Sequence, residues 1–132
     1  MQVISIKIPS IPDNITIIES FIDNAKEKYK ISSDLYGNIM VATTEAVNNA
    51  ILHGNKSNEK KNVSIKLELL EKKLIFTVED KGRGFDYNNI ADPTDPANLE
   101  RIGGRGIFLI KHLADKIEFN ESGSSIIMTF NM

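Results

Sequence analysis

The chain contains no cysteine, so disulfides, thiolate zinc sites and thiol nucleophiles are excluded. Only two histidines occur, His53 and His112, and their separation along the chain argues against a His-rich metal site. Serines are scattered with no paired base visible beside them, which leaves nucleophilic catalysis without support. An excess of positive charge is also missing. A formal net charge of −2 argues against broad electrostatic capture of nucleic acid or of an anionic membrane. No apolar run approaches the length of a membrane span. The stretch Met1-Gln2-Val3-Ile4-Ser5-Ile6-Lys7 has no signal-peptide pattern, and a cytoplasmic location is expected. No internal repeat, low-complexity tract or linker interrupts the chain. Its 132 residues, 41% of them hydrophobic, are expected to form a single domain over 1–132 with a real core.

Hydrophobic periodicity sets out the elements. Ile4, Ile6 and Ile8 alternate and predict a strand that Pro9 and Pro12 end. Asp13 or Asn14 can cap a helix running to about Tyr29, with Ile18, Ile22, Ala25 and Tyr29 on its apolar face. Ser32-Ser33-Asp34 offers a cap for a second helix, whose stripe is Leu35, Ile39, Ala42, Ala46 and Ala50. Gly54 and Asn55 suit a left-handed end to that helix. Val63, Ile65, Leu67 and Leu69, a turn at Glu71-Lys72, then Leu74, Phe76 and Val78 predict an antiparallel hairpin with one buried face. The pattern dissolves from Asp86 to Ile102, where Asp92-Pro93-Thr94-Asp95-Pro96 fits neither helix nor central strand. A third helix is predicted from Ile107 to about Ala114. A strand over Lys116 to Asn120 and a last strand follow, with Ser124, Ile126, Met128 and Phe130 on one face of the latter and Thr129 on the other. The order β-α-α-β-β-loop-α-β-β predicts an α+β fold, a two-layer sandwich with three main helices on one face of a mixed, mostly antiparallel sheet.

Three stretches could carry chemistry. On the second helix Glu45, Asn49 and His53 follow at four-residue steps and share a face. A carboxylate and an amide would then border the core, and burying a lone carboxylate costs several kcal/mol. Both pointing to solvent beside the core stripe is an equally good reading of that helix alone. Asp80-Lys81-Gly82-Arg83-Gly84 is either a tight turn or a backbone thin enough to lie against a flat ligand, with Asp80 accepting from its amino edge. Gly103-Gly104-Arg105-Gly106 opens a helix, where free N–H groups and a partial positive charge favour phosphate. It is not the dinucleotide fingerprint, since no strand leads into it. Nor is it a Walker P-loop, since the Lys-Ser/Thr ending is missing.

Taken in order, Glu45-x-x-x-Asn49-Ala50, Asp80-x-Gly82-x-Gly84 and Gly104-x-Gly106 resemble the three boxes of the GHKL, or Bergerat-fold, ATPases. The resemblance covers nearly the whole chain. Glu45-Ala46-Val47-Asn48-Asn49-Ala50-Ile51-Leu52-His53-Gly54 and Gly104-Arg105-Gly106-Ile107-Phe108-Leu109-Ile110 are most similar to the anti-sigma-factor serine/threonine kinases.

That resemblance implies ATP and Mg²⁺ as cofactors. It implies Glu45 as general base, Asn49 as Mg²⁺ ligand, and Asp80 as acceptor of the adenine amino group. Gly82 and Gly84 would shape the adenine pocket, Gly104, Arg105 and Gly106 would contact phosphates, and Thr129 would help hold adenine. The segment from Asp86 to Ile102 would be the ATP lid. The implied substrate is a Ser or Thr of a STAS-domain antagonist, and the second partner is a sigma factor. Direct nucleic-acid and membrane contacts are not expected, and homodimerisation is left open. A non-catalytic ATP-binding module that sequesters a partner is the alternative, and a purely structural α+β domain is a third. A histidine-kinase role would need a phosphoacceptor helix pair, and a gyrase- or MutL-type role would need a transducer domain. Neither is seen in the sequence.

Overall fold

The computed structural model describes residues 2–82, 104–120 and 124–132. The expected lid, Gly84 and the side chain of Arg105 lie outside the described parts. The chain runs β1 (Gln2–Pro9), α1 (Ile15–Tyr29), α2 (Ser33–Asn49), β2 (Asn62–Leu70), β3 (Lys73–Glu79), α3 (Gly104–Leu113), β4 (Lys116–Phe119) and β5 (Ser125–Asn131). The five strands form one sheet in the order β1-β2-β3-β5-β4. Among the described residues all four pairings are antiparallel, where a mixed sheet is expected. The reason is local: β5 returns beside β3, running against it, and β4 pairs only with β5.

Alternation on the strands selects the core face. Leu74, Phe76 and Val78 of β3 stand opposite Phe130, Met128 and Ile126 of β5, and all six are buried. Phe76 and Phe130 meet edge to face at 6.0 Å between ring centroids. Each such ring is worth about 1.5–3 kcal/mol for burial alone. Val63, Ile65 and Leu67 extend the face across β2, where they pair with Ile8, Ile6 and Ile4 of the edge strand β1. The Glu71-Lys72 turn has positive φ at both residues (57° and 89°) and joins paired Leu70 and Lys73, the geometry of a two-residue primed turn.

The helices cover that face. Ile18, Ile22, Ala25 and Tyr29 of α1 are buried, as their spacing predicts. The expected cap differs. Asn14 stands at the N-cap but makes no capping bond; its Nδ2 donates to the Pro9 carbonyl at 3.0 Å, after a 3-10 turn over Pro12–Asn14. At α2 the Ser32 hydroxyl accepts from the Leu35 N–H at 3.3 Å. Ile39, Ala42, Ala46 and Val47 of α2 are buried beneath it. In α2, Gly37 has open space where a Cβ would stand. Gly37→Ala should therefore stabilise the fold by about 1 kcal/mol, read as a higher urea midpoint at an unchanged slope.

Two helix ends depart from expectation. Helix α3 begins at Gly104, three residues before Ile107, so Gly104, Arg105 and Gly106 are its first turn. At the other end of α2 a π turn over Ala50–Gly54 replaces the expected left-handed stop. It closes with the Asn55 N–H donating to the Ala50 carbonyl at 2.8 Å. Asn55 itself is right-handed (φ −91°), and the left-handed residues are Lys56 (φ 53°) and Ser57 (φ 56°). Single π turns inside helices often mark functional positions.

Candidate functional site

Helix α2 and its π turn form the spine of the site. Its middle meets the start of α3, the element against which α2 packs most extensively. A Cβ on Gly106 would lie 2.7 Å from Asn49 Nδ2, 3.1 Å from Glu45 Oε2 and 3.4 Å from Asn49 Oδ1. Glu45 and Asn49 therefore both point at the first turn of α3, and the missing side chain of Gly106 lets them do so. Neither faces away into solvent; both are half-buried. The two helical expectations, the four-residue step and the glycine-rich helix start, meet at one place.

That place holds an unpaired polar atom. Asn49 Nδ2 is buried with no hydrogen-bond partner among the described residues. Such an orphan costs about 1–3 kcal/mol, so a buried donor left without a partner among the described residues calls for an explanation. A helix start also carries N–H groups without intrahelical partners and a partial positive charge, and α3 brings its own start beside Asn49.

The far end of the spine meets the end of β3. Asp80 is half-buried; its Oδ1 accepts from the Gly82 N–H at 2.7 Å, and its own N–H donates to the Ser124 carbonyl at 2.9 Å. Burial raises its carboxyl above the usual Asp value; the Gly82 N–H opposes this, neighbouring Glu79 adds to it, and Lys61 lowers it. The carboxylate rests on bare backbone. A Cβ on Gly54 would fall 2.2 Å from Asp80 Oδ2, and one on Gly82 would fall 2.0 Å from the Gly54 carbonyl oxygen. Gly54 is thus a glycine because of Asp80, not because it ends a helix. No periodicity carries that signal; only the contact between the ends of α2 and β3 does.

His53 does not continue the stripe of Glu45 and Asn49. The π turn changes the helical register, and His53 is exposed. It lines a cavity of about 550 Å³ with Gly54, Lys56, Lys61 and Gly82 among others. Thr129 is also not brought to the site. It pairs with Ile75 and Lys116, well along β5 from the Glu79–Ser125 pair that precedes Asp80. It lies on the sheet face opposite Met128 and Phe130, away from the helices. The residue across from Asp80 is Ser124, whose Oγ accepts from Asn120 Nδ2 at 3.1 Å. Sequence alternation separated the two faces of β5 but did not say which end of the strand meets Asp80.

Comparison with known proteins bears on the family and the fold. Residues 8–130 match the family described as histidine kinase-like ATPase domain. The chain is 30% identical over 134 aligned residues to the serine-protein kinase RsbW of Staphylococcus aureus strain Newman, covering 96% of this chain and 84% of that protein. The protein of the same name from strain MSSA476 is 31% identical over the same coverage. Among solved structures, a Mycobacterium tuberculosis chain with RsbU and RsbW domains superposes with a TM-score of 0.72 at 13% identity, a likeness of fold. It covers 99% of this chain, which spans about a third (32%) of that larger one. With Glu45 and Asn49 set against the start of α3, and Asp80 seated on Gly54, the matched region contains both ends of the site, and the chain belongs to the histidine kinase-like ATPase domain family, within the GHKL superfamily.

Proposed function

We propose that the chain is an ATP-dependent serine/threonine protein kinase that acts as an anti-sigma, partner-switch regulator. The observation that carries this reading is the meeting of Glu45, Asn49 and Gly106, where the buried Nδ2 of Asn49 has no partner among the described residues. A phosphate-seeking helix start, a metal-seeking amide and a carboxylate share one small space.

The residues fit the cofactors. Turning the Asn49 amide about its Cβ–Cγ bond exchanges its two polar atoms, so the pocket that leaves Nδ2 unpaired would offer Oδ1 to a cation. Mg²⁺ needs few protein ligands when phosphates and water complete its shell, and bound there it would neutralise phosphate charge. The N–H groups at the start of α3 would hold phosphate oxygens. Asp80 would accept from the adenine amino group, on the bare floor of Gly54 and Gly82, and Ser124 stands beside it where Thr129 does not. Glu45 would take the proton from a Ser or Thr hydroxyl as its oxygen bonds to the γ-phosphorus and the bond to the β,γ-bridging oxygen breaks. Phosphoserine or phosphothreonine and ADP leave. Such transfer asks mainly for positioning and charge neutralisation.

The protein partners are a STAS-type antagonist bearing the hydroxyl and a sigma factor. The name of the Staphylococcus aureus relatives, serine-protein kinase, supports the transfer step. The test is incubation of the chain with γ-labelled ATP, Mg²⁺ and STAS-domain proteins encoded beside it. Label on a Ser or Thr of one of them is the expected result. Capture of the partner with no label transferred would instead make the chain an ATP-binding module that sequesters without phosphorylating.

A further inference from the structure

One side chain near the site uses both polar atoms of its amide to join separate parts of the chain. Asn55 is 2% exposed. Its Oδ1 accepts from the Lys81 N–H at 2.7 Å. Its Nδ2 donates to Ser10 Oγ at 2.8 Å and to the Asn62 carbonyl at 3.1 Å. Ser10 Oγ in turn donates to the Lys61 carbonyl at 2.6 Å. One amide thus ties the end of β1, the start of β2 and the residue after Asp80 to the end of the π turn.

We propose that Asn55 is a positioning residue for recognition of the nucleotide base, acting through the Lys81 N–H on the carboxylate of Asp80. The inference rests on the reading that Asp80 accepts from the adenine amino group. The two peptide units that flank the Asp80 Cα are each held by a hydrogen bond. The Asp80 N–H is bound to Ser124 and the Lys81 N–H to Asn55. With both peptides fixed, the Asp80 side chain leaves the backbone in one direction, over Gly54, where Gly82 N–H holds Oδ1. Loss of the Asn55 bond frees the peptide that follows Asp80 and lets the carboxylate tilt off the base. The Lys81 side chain is exposed and only its backbone is used, so position 81 tolerates many residues. Position 55 does not. It needs one acceptor and two donors on a short planar group, which only asparagine supplies. Aspartate would lack the donors, and glutamine would reach a methylene too far.

The test compares ATP with purine riboside triphosphate, which has hydrogen in place of the 6-amino group, each with Mg²⁺. The unmutated protein is expected to prefer ATP. Asn55→Ala should lower that preference by about tenfold while affinity for the purine analogue holds, because the phosphate end is untouched. Lys81→Pro removes the same bond from the donor side, at an exposed position. It should lower the preference by a similar factor, and the two changes together should not add. Lys81→Pro decides the matter should Asn55→Ala not fold. Ser10→Ala cuts another bond of the same amide and should lower stability while leaving the preference within about twofold. A preference retained in well-folded Lys81→Pro, or lost equally in Ser10→Ala, would overturn the positioning role. No preference in the unmutated protein would remove the reading of Asp80 itself, and this inference with it.

Discussion

Glu45→Gln should leave ATP affinity nearly unchanged and slow phosphoryl transfer by about 10²- to 10⁴-fold, the usual worth of a positioned general base. The two side chains are near-isosteric and alike in helix propensity, so α2 and its packing against α3 should persist. Glu45 Oε2 lies beside the position a Gly106 Cβ would take, and glutamine occupies the same volume there. Asn49, the proposed metal ligand, and Asp80, the proposed adenine acceptor, are untouched. Binding and turnover should then separate at one residue. The measurement is ATP affinity beside single-turnover phosphorylation of a STAS-domain partner, for both proteins. Undiminished phosphorylation by a well-folded Glu45→Gln would refute the base assignment.

Asp80→Asn should weaken ATP binding by about 10- to 100-fold, since it turns a charged acceptor for the adenine amino group into a neutral amide. The same change should raise the thermal midpoint of the nucleotide-free protein at neutral pH. Burial holds the Asp80 carboxyl above its ordinary value in the folded chain. Below the ordinary value both folded and unfolded chains carry it protonated, and its contribution to stability is fully present. As pH rises through the raised folded value that contribution is lost, because the fold must hold a poorly solvated carboxylate. Asparagine removes that cost, and its Oδ1 can still accept from the Gly82 N–H. Nucleotide binding should run the other way. It needs the ionised carboxylate, so ATP affinity should fall as pH drops through the raised value, at a pH above the ordinary Asp range. The asparagine variant should lack that dependence. A variant that binds ATP as well as the parent at neutral pH would contradict the assignment. Function and stability are thus expected to oppose each other at this residue.

Much of the fold was legible because burial follows period. The alternation of β2, β3 and β5 and the apolar spacing of α1 and α2 put most of the apolar residues they named into the core, with Leu35 and Leu69 half-buried against it. The Glu45–Asn49 pair was legible for the same reason, being one helical step apart. Features that depend on where two distant segments touch were not. Gly54 and Asn55 read as a helix stop, the usual meaning of those residues at a helix end. Their actual constraints come from Asp80 and Lys81, some 26 residues further on, once β3 folds back beside α2. The π turn has no period of its own to detect. Thr129 was misplaced because a strand's face can be read from alternation, whereas its register against β3 cannot.

The central claim is that Asn49, beside Glu45 and the start of α3, holds the metal of a bound ATP·Mg²⁺. Calorimetric titration of the chain with ATP, with and without Mg²⁺, beside the same titration of Asn49→Ala, tests it most directly. The account predicts saturable heat that needs Mg²⁺ in the unmutated chain and is strongly weakened in the variant. No heat from ATP·Mg²⁺ in the unmutated chain, or equal affinity in Asn49→Ala, would contradict it.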